Sequence, residues 1–303
     1  MAQRFIPYSV AMVTPFTKAG NLDVASVPQV VKYYLDHNIP GLLVSGTTGE
    51  QHCMTIAERK QLYSLVAQAA AGTNCQLYAG VAAFKTNDAK ELAKAAKEAG
   101  FSGIMLGFPP YRIPSQQEAQ VYVEQVASAA KDLPCFLYNN PRRNGFTVEP
   151  ETFARIAKSV DNVFGQKEAG SPENVNKMKA LLSNDQATAN SLGQYSFFTG
   201  SDSSIIDAFT RYGYTGITSI AGNVYPDQVK AIVGHLLRKE TEQAKQIMET
   251  IAPGIELLEK AGMIQSIKYL LRKQNVPIGY CPPPIQDISD EVKEALDEIL
   301  FNN

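Results

Sequence analysis

The 303-residue chain has no tryptophan, three histidines and four cysteines, and neither sign of charge predominates, with 28 basic against 30 acidic side chains. Each shortage excludes something. Balanced charge leaves no global field to draw in phosphate backbones or anionic membranes, so nucleic acid is not an expected partner. Cys53, Cys75, Cys135 and Cys281 are widely spaced with no C-x-x-C pair, which reads as buried thiols rather than a disulfide frame or a zinc site. His37, His52 and His235 are too scattered to suggest a metal cluster. No apolar run approaches the length of a membrane span, and Met1-Ala2-Gln3-Arg4-Phe5 lacks the charged-then-apolar order of a signal peptide. The expected compartment is the cytoplasm.

What the chain does contain is a repeated alternation. Short β-type runs stand at Ser9–Thr14, Gly41–Ser45, Gln76–Val81, Gly103–Leu106, Cys135–Tyr138, Val163–Lys167, Tyr195–Gly200 and Gly216–Ser219. They start roughly 20 to 35 residues apart with helical patterns between, the spacing of βα units. Thr55-Ile56-Ala57-Glu58 and Ser115-Gln116-Gln117-Glu118 fit the capping box, in which hydroxyl and carboxylate each satisfy an orphan amide. Leu62, Leu65, Val66 and Ala69 fall on one helix face, as do Ala89, Leu92, Ala93, Ala96 and Ala99, and again Phe153, Ile156, Ala157 and Val160. Gly213 after Tyr212 reads as a helix stop. Parallel strands need both faces covered, and crossover helices supply the outer layer. The pattern therefore predicts an α/β fold, a closed (β/α)8 TIM barrel over residues 1–225.

Beyond it the strand pattern stops. Pro226–Leu237, Thr241–Ala261, Met263–Gln274 and Ser289–Phe301 read as helices, with a kink or break expected at Pro253-Gly254. Val276–Ile285 carries four prolines and cannot be a regular helix. Residues 226–303 are expected to form a helical appendage packed on the barrel as part of one structural unit.

The chain is organised around Val163-Phe164-Gly165-Gln166-Lys167-Glu168-Ala169-Gly170, which reads as strand, lysine, turn and then a helix capped by Ser171 with Pro172 at its first position. A lysine at the carboxyl end of a barrel strand stands where such enzymes keep their chemistry, and an amine between apolar walls is a nucleophile for carbonyls. The plain alternative is an ordinary strand-end lysine in water. On the same rim the sequence places Thr14-Pro15-Phe16, Gly46-Thr47-Thr48-Gly49-Glu50, Pro110-Tyr111, Tyr138-Asn139, Gly200 and Gly222-Asn223. Gly46 and Gly49 bracketing two threonines predict a tight turn whose amides can face a carboxylate, or else a simple connection. Tyr138 is a proton carrier or a ring packed at a strand end, and Arg143 a carboxylate clamp or a surface cation.

G-T-T-G-E at 46–50, Y-N-x-P-x-R-x-G at 138–145 and K-E-A at 167–169 closely resemble the dihydrodipicolinate synthase and N-acetylneuraminate lyase family of Schiff-base (class I) aldolases. The resemblance runs from about Phe5 to the end of the chain and includes T-P-F at 14–16 and G-x-x-S-x-x-x-N at 216–223. It implies that Lys167 forms the imine with pyruvate or another 2-oxo acid. It further implies that Tyr138 carries protons and that Thr47 links it to a tyrosine from a neighbouring subunit, for which Tyr111 is the candidate. The Thr47 and Thr48 amides would bind the oxo-acid carboxylate, with Gly200 and Thr218 in the pocket wall. A protonated imine is itself an electron sink, so no metal or organic cofactor is required. A homodimer or homotetramer and an aldehyde co-substrate complete what the resemblance implies.

The chain departs from the family pattern at Pro109-Pro110-Tyr111-Arg112-Ile113-Pro114, which has one tyrosine where synthases show two, at Gly200-Ser201-Asp202 in place of G-D-D, and at Thr218 in place of isoleucine. Arg143 matches the synthases, which use it on the carboxylate of the second substrate. The first expectation is dihydrodipicolinate synthase, in lysine biosynthesis. The second is an aldolase or dehydratase for 2-keto-3-deoxy sugar acids, or a neuraminate lyase-like aldolase, and the third a non-catalytic barrel that binds oxo acids. Phe84 stands where lysine-inhibited relatives carry an asparagine, and Gln51 and His52 replace two small residues, so inhibition by lysine is not expected; Phe84 would instead pack at a subunit contact.

Overall fold

The computed structural model describes residues 5–185 and 192–301, so the expectation for Met1 to Arg4 lies outside the described residues. Strands β1 (Tyr8–Ala11), β2 (Gly41–Val44), β3 (Gln76–Gly80), β4 (Gly103–Gly107), β5 (Cys135–Asn139), β6 (Val163–Glu168), β7 (Ser196–Thr199) and β8 (Gly216–Ser219) close into one barrel in sequence order. Every neighbouring pair is parallel. β1 is shorter than its apolar run because the Val13 amide leaves the ladder for the Asn223 side-chain oxygen, 3.3 Å away.

Strand alternation divides the apolar residues between two layers. Val10, Leu42, Val44, Ala79, Ile104 and Leu106 face the helices. Phe5, Ala11, Leu43, Tyr78, Met105, Phe136 and Phe198 form a separate cluster within the barrel. Phe136 is its centre, with ring centroids 4.6 Å from Phe5 and 4.8 Å from Phe198. Glycine makes that plug possible: a Cβ on Gly165 would lie 2.3 Å from the Phe136 ring, and one on Gly216 2.4 Å from Phe198. Truncating Phe136 to alanine would cost about 3–5 kcal/mol in transfer and cavity terms.

Helices Ile56–Ala69 and Gln116–Ala129 both start with the expected reciprocal capping box. The helix Ile205–Arg211 ends before Gly213, whose φ of +68° no larger residue adopts easily. One start is shifted: the helix after β6 begins at Glu173, because the Ser171 hydroxyl bonds the Glu173 carboxylate at 2.9 Å instead of capping a backbone amide.

After β8 the chain forms Pro226–Leu237, Thr241–Ala261, Met263–Lys273 and Asp290–Phe301. The expected break at Pro253 is absent, and one helix of 21 residues runs through it. Ile251, Ile255 and Leu258 are buried on either side of the proline, and Gly254 leaves room for the Tyr225 hydroxyl, which a Cβ would meet at 1.8 Å. Packing on both sides outweighs the lost backbone bond. The break falls instead at Gly262, at φ +94°.

Candidate active site

At the carboxyl ends of the strands Lys167 projects inward from β6, only 4% exposed. Tyr138 on β5 is its register partner. The Lys167 Nζ lies 4.9 Å from the Tyr138 ring centroid and 3.4 Å from the Thr218 carbonyl. Close approach from β7 is possible because residue 200 is glycine: a Cβ there would stand 2.6 Å from Lys167 Cε. These groups share a cavity of about 130 Å³ with Thr47, Thr48, Arg143 and Asn140, roofed by Met263 and Ile264 from the C-terminal helices.

The turn after β2 forms another side of the cavity. Thr14 Oγ donates to the Gly49 carbonyl at 2.7 Å, and the Glu50 amide closes onto Thr47 O at 3.0 Å. Among the described residues, nothing accepts from the N–H groups of Thr47 and Thr48. The left-handed residues of this turn are not its two glycines. They are Ser45 at φ +57° and Glu50 at φ +53°, while Gly49 is required by the Met12 carbonyl, 3.0 Å from where a Cβ would sit.

Two buried carboxylates brace the rim from behind. Glu168 accepts from Asn139 Nδ2 at 2.9 and 3.0 Å, from Gln166 Nε2 at 2.9 Å and from the Gly170 amide at 2.7 Å. Burial pushes its carboxyl above the ordinary range, against the pull of those donors and of Asn174. Asp202 accepts from the Ser219 hydroxyl and from the amides of Ile220 at 2.9 Å and Ala221 at 3.0 Å. Burial raises it as well, while those three donors and, more weakly, Lys167 lower it.

Lys167, Tyr138, Thr47, Thr48, Arg143 and Gly200 thus meet at one cavity. Two expectations need correction. Thr218 reaches the site only by its carbonyl, because its side chain faces the Ser9 hydroxyl at 3.1 Å and does not line the cavity. No Thr47–Tyr138 hydrogen bond forms among the described residues; Asn140 Nδ2 donates to the Tyr138 hydroxyl at 2.5 Å. Tyr111, expected to act from a neighbouring subunit, lines no part of its own chain's cavity and is 98% exposed at φ +78°. The sequence reading passed over Asn140, Met263 and Ile264 and named Asp202 only as part of Gly200-Ser201-Asp202, without a role; the position of Asn140 inside the Y-N-x-P motif could have signalled it.

The cysteines correct a further expectation. Cys135 is buried, its thiol pushed up to about 12 by desolvation, but Cys53, Cys75 and Cys281 are half-buried. Among the described residues no cluster of His, Cys, Asp or Glu could hold a metal ion, and no helix is long and apolar enough to cross a membrane.

A buried lysine facing a tyrosine at the carboxyl end of a (β/α)8 barrel, beside a turn with free amides, defines a Schiff-base aldolase-type site. The chain belongs to the dihydrodipicolinate synthetase family, whose model matches residues 4–302. It is 30% identical over 297 residues to the 4-hydroxy-tetrahydrodipicolinate synthase of Synechocystis sp., covering 98% of this chain and 95% of that protein. It is also 30% identical over 302 residues to the synthase of Alkaliphilus oremlandii, covering 97% of each. The crystal structure of DHDPS from Cyanidioschyzon merolae with lysine bound superposes with a TM-score of 0.89 at 26% identity, over 99% of this chain and 98% of that one.

Proposed function

We propose that the protein is a pyruvate-dependent lyase of the 4-hydroxy-tetrahydrodipicolinate synthase kind, condensing pyruvate with aspartate semialdehyde in the cytoplasm. The observation that carries this reading is the placement of Lys167 and the unpartnered Thr47 and Thr48 amides on one small cavity. A 2-oxo acid has the matching pattern, a carbonyl carbon next to a carboxylate. Lys167 Nζ adds to that carbon and water leaves, giving an iminium that draws electrons from the adjacent methyl group. Loss of a methyl proton gives the enamine, whose terminal carbon attacks the aldehyde carbon while the aldehyde oxygen takes a proton. Tyr138, beside Lys167, is the proton carrier, and Asn140 holds its hydroxyl.

Arg143 lines this cavity and a wider neighbouring one of about 400 Å³, which supports the reading of its guanidinium fork as the clamp on the acceptor's carboxylate. Ala169, Ile220, Met263 and Ile264 form an apolar part of the wall, and Thr47, Thr48, Gln51 and Asn140 its polar part. Thr47 lines both cavities. We infer a homodimer or homotetramer in which Tyr111 of the partner subunit approaches the cavity on its Thr47 side. Supporting this, Tyr111 is solvent-exposed in its own chain, near exposed Ile113.

Incubation with pyruvate and a panel of aldehydes tests the reading. Consumption of aspartate semialdehyde in step with pyruvate is expected. Turnover confined to hydroxylated aldehydes would move the protein to the sugar-acid aldolases.

A further inference from the structure

The Gly46–Gly49 turn has a left-handed residue on each shoulder, and each is held from below by a buried cation. On one side Arg59, 3% exposed, donates from Nε to Ser45 Oγ at 2.8 Å and from its other nitrogens to the carbonyls of Gly80 at 2.6 Å and Ala82 at 2.7 Å. On the other, the Glu50 carboxylate forms an ion pair with Lys268, both side chains being almost completely buried. Lys268 comes from the Met263–Lys273 helix, far away in sequence. Its Nζ also donates to the Tyr280 carbonyl at 2.9 Å and stands 4.7 Å from the centroid of the Phe16 ring. Phe16 in turn follows Thr14, whose hydroxyl holds Gly49, and its carbonyl accepts from the Tyr280 amide at 3.3 Å. Next to the pair, burial first and Glu50 second push the Cys281 thiol up to about 12, against Lys268, so that it remains a neutral filler.

A fully buried ion pair is a poor means of adding stability, because removing two charges from water offsets most of their attraction. It is a good means of fixing one geometry, since either charge alone would be stranded. The pair sits where the backbone is held in an unfavoured conformation, one residue beyond the turn whose amides face the cavity. We propose that Lys268, acting through Glu50, is a positioning residue for the oxo-acid carboxylate. The C-terminal helices then do more than roof the cavity with Met263 and Ile264: they set the angle of the Thr47 and Thr48 amides. The inference rests on the lyase reading above.

The test compares the wild-type enzyme, Lys268→Met and the double variant Glu50→Gln/Lys268→Met by borohydride trapping of Lys167 over a range of pyruvate concentrations, with Tm measured in parallel. Trapping in the wild type is the control on the lyase reading, and the inference depends only on differences among the three proteins. Lys268→Met should raise the pyruvate concentration for half-maximal trapping by about tenfold or more, with the aldehyde's KM changed by less than about twofold. The double variant strands no charge, so its Tm should recover toward wild type while the pyruvate half-saturation stays raised. A folded variant of either kind with wild-type half-saturation would overturn the proposal. So would a double variant that fails to fold, because the pair would then serve the fold and not the turn.

Discussion

Lys167 and Tyr138 are register partners across the β5–β6 ladder, and the residues that follow them, Glu168 and Asn139, are the next register pair. Strand alternation sends the first two side chains into the barrel and the next two to its outer face, where both Glu168 oxygens accept from Asn139 Nδ2. Lys167 and Tyr138 are thus aligned by a clamp on the opposite side of the same two strands.

Tyr138 is expected to serve proton transfer more than binding. Tyr138→Phe should lower kcat by roughly a hundredfold or more, with a smaller change in KM. Near-normal steady-state turnover would assign the proton path to another group.

Arg143 should govern the second substrate alone. Arg143→Ala is expected to cost about 2–5 kcal/mol of transition-state stabilisation with aspartate semialdehyde, while imine formation with pyruvate survives. Separate measurement of the two steps decides it, and an equal loss in both would mark Arg143 as structural.

Glu168 links stability to pH. Its folded carboxyl is raised above the ordinary value of 4.5, so the folded chain binds this proton more tightly than the unfolded one. The contribution is full below 4.5 and is lost as pH rises through the folded value. The Tm of the wild type relative to Glu168→Gln should therefore fall as pH climbs above that point. A relative Tm that rises over the same range contradicts the assignment.

Lysine is not expected to inhibit. Phe84, 69% exposed, lines the wider cavity with Gln51, His52 and Asp88, and its ring offers no hydrogen bond to a charged amino acid that must shed water to enter. Activity should be unchanged at millimolar lysine. Inhibition that Phe84→Ala or Asp88→Ala relieves would show that a lysine site exists.

The barrel was legible in the sequence because its signals are local. Strand runs, the capping boxes at Thr55 and Ser115 and the stop at Gly213 each act within a few residues. Lys167, Tyr138 and Thr47 were legible because they stand in short motifs at strand ends. Pro253 does not break its helix because packing on Ile251 and Ile255 outweighs a local propensity. The left-handed bends at Ser45 and Glu50 were not legible because they are held by Arg59 and Lys268, and contacts of that kind leave no mark in the neighbouring sequence. Thr218 was read as wall because it stands where the family carries an isoleucine, while its side chain bonds Ser9 on another strand.

The central claim is that Lys167 forms an imine with a 2-oxo acid. The direct measurement is mass spectrometry of the peptide containing Gln166-Lys167-Glu168 after incubation with pyruvate and borohydride. The account predicts a stable pyruvate-derived adduct on Lys167. An unmodified Lys167, with the adduct on another lysine or absent, would contradict it.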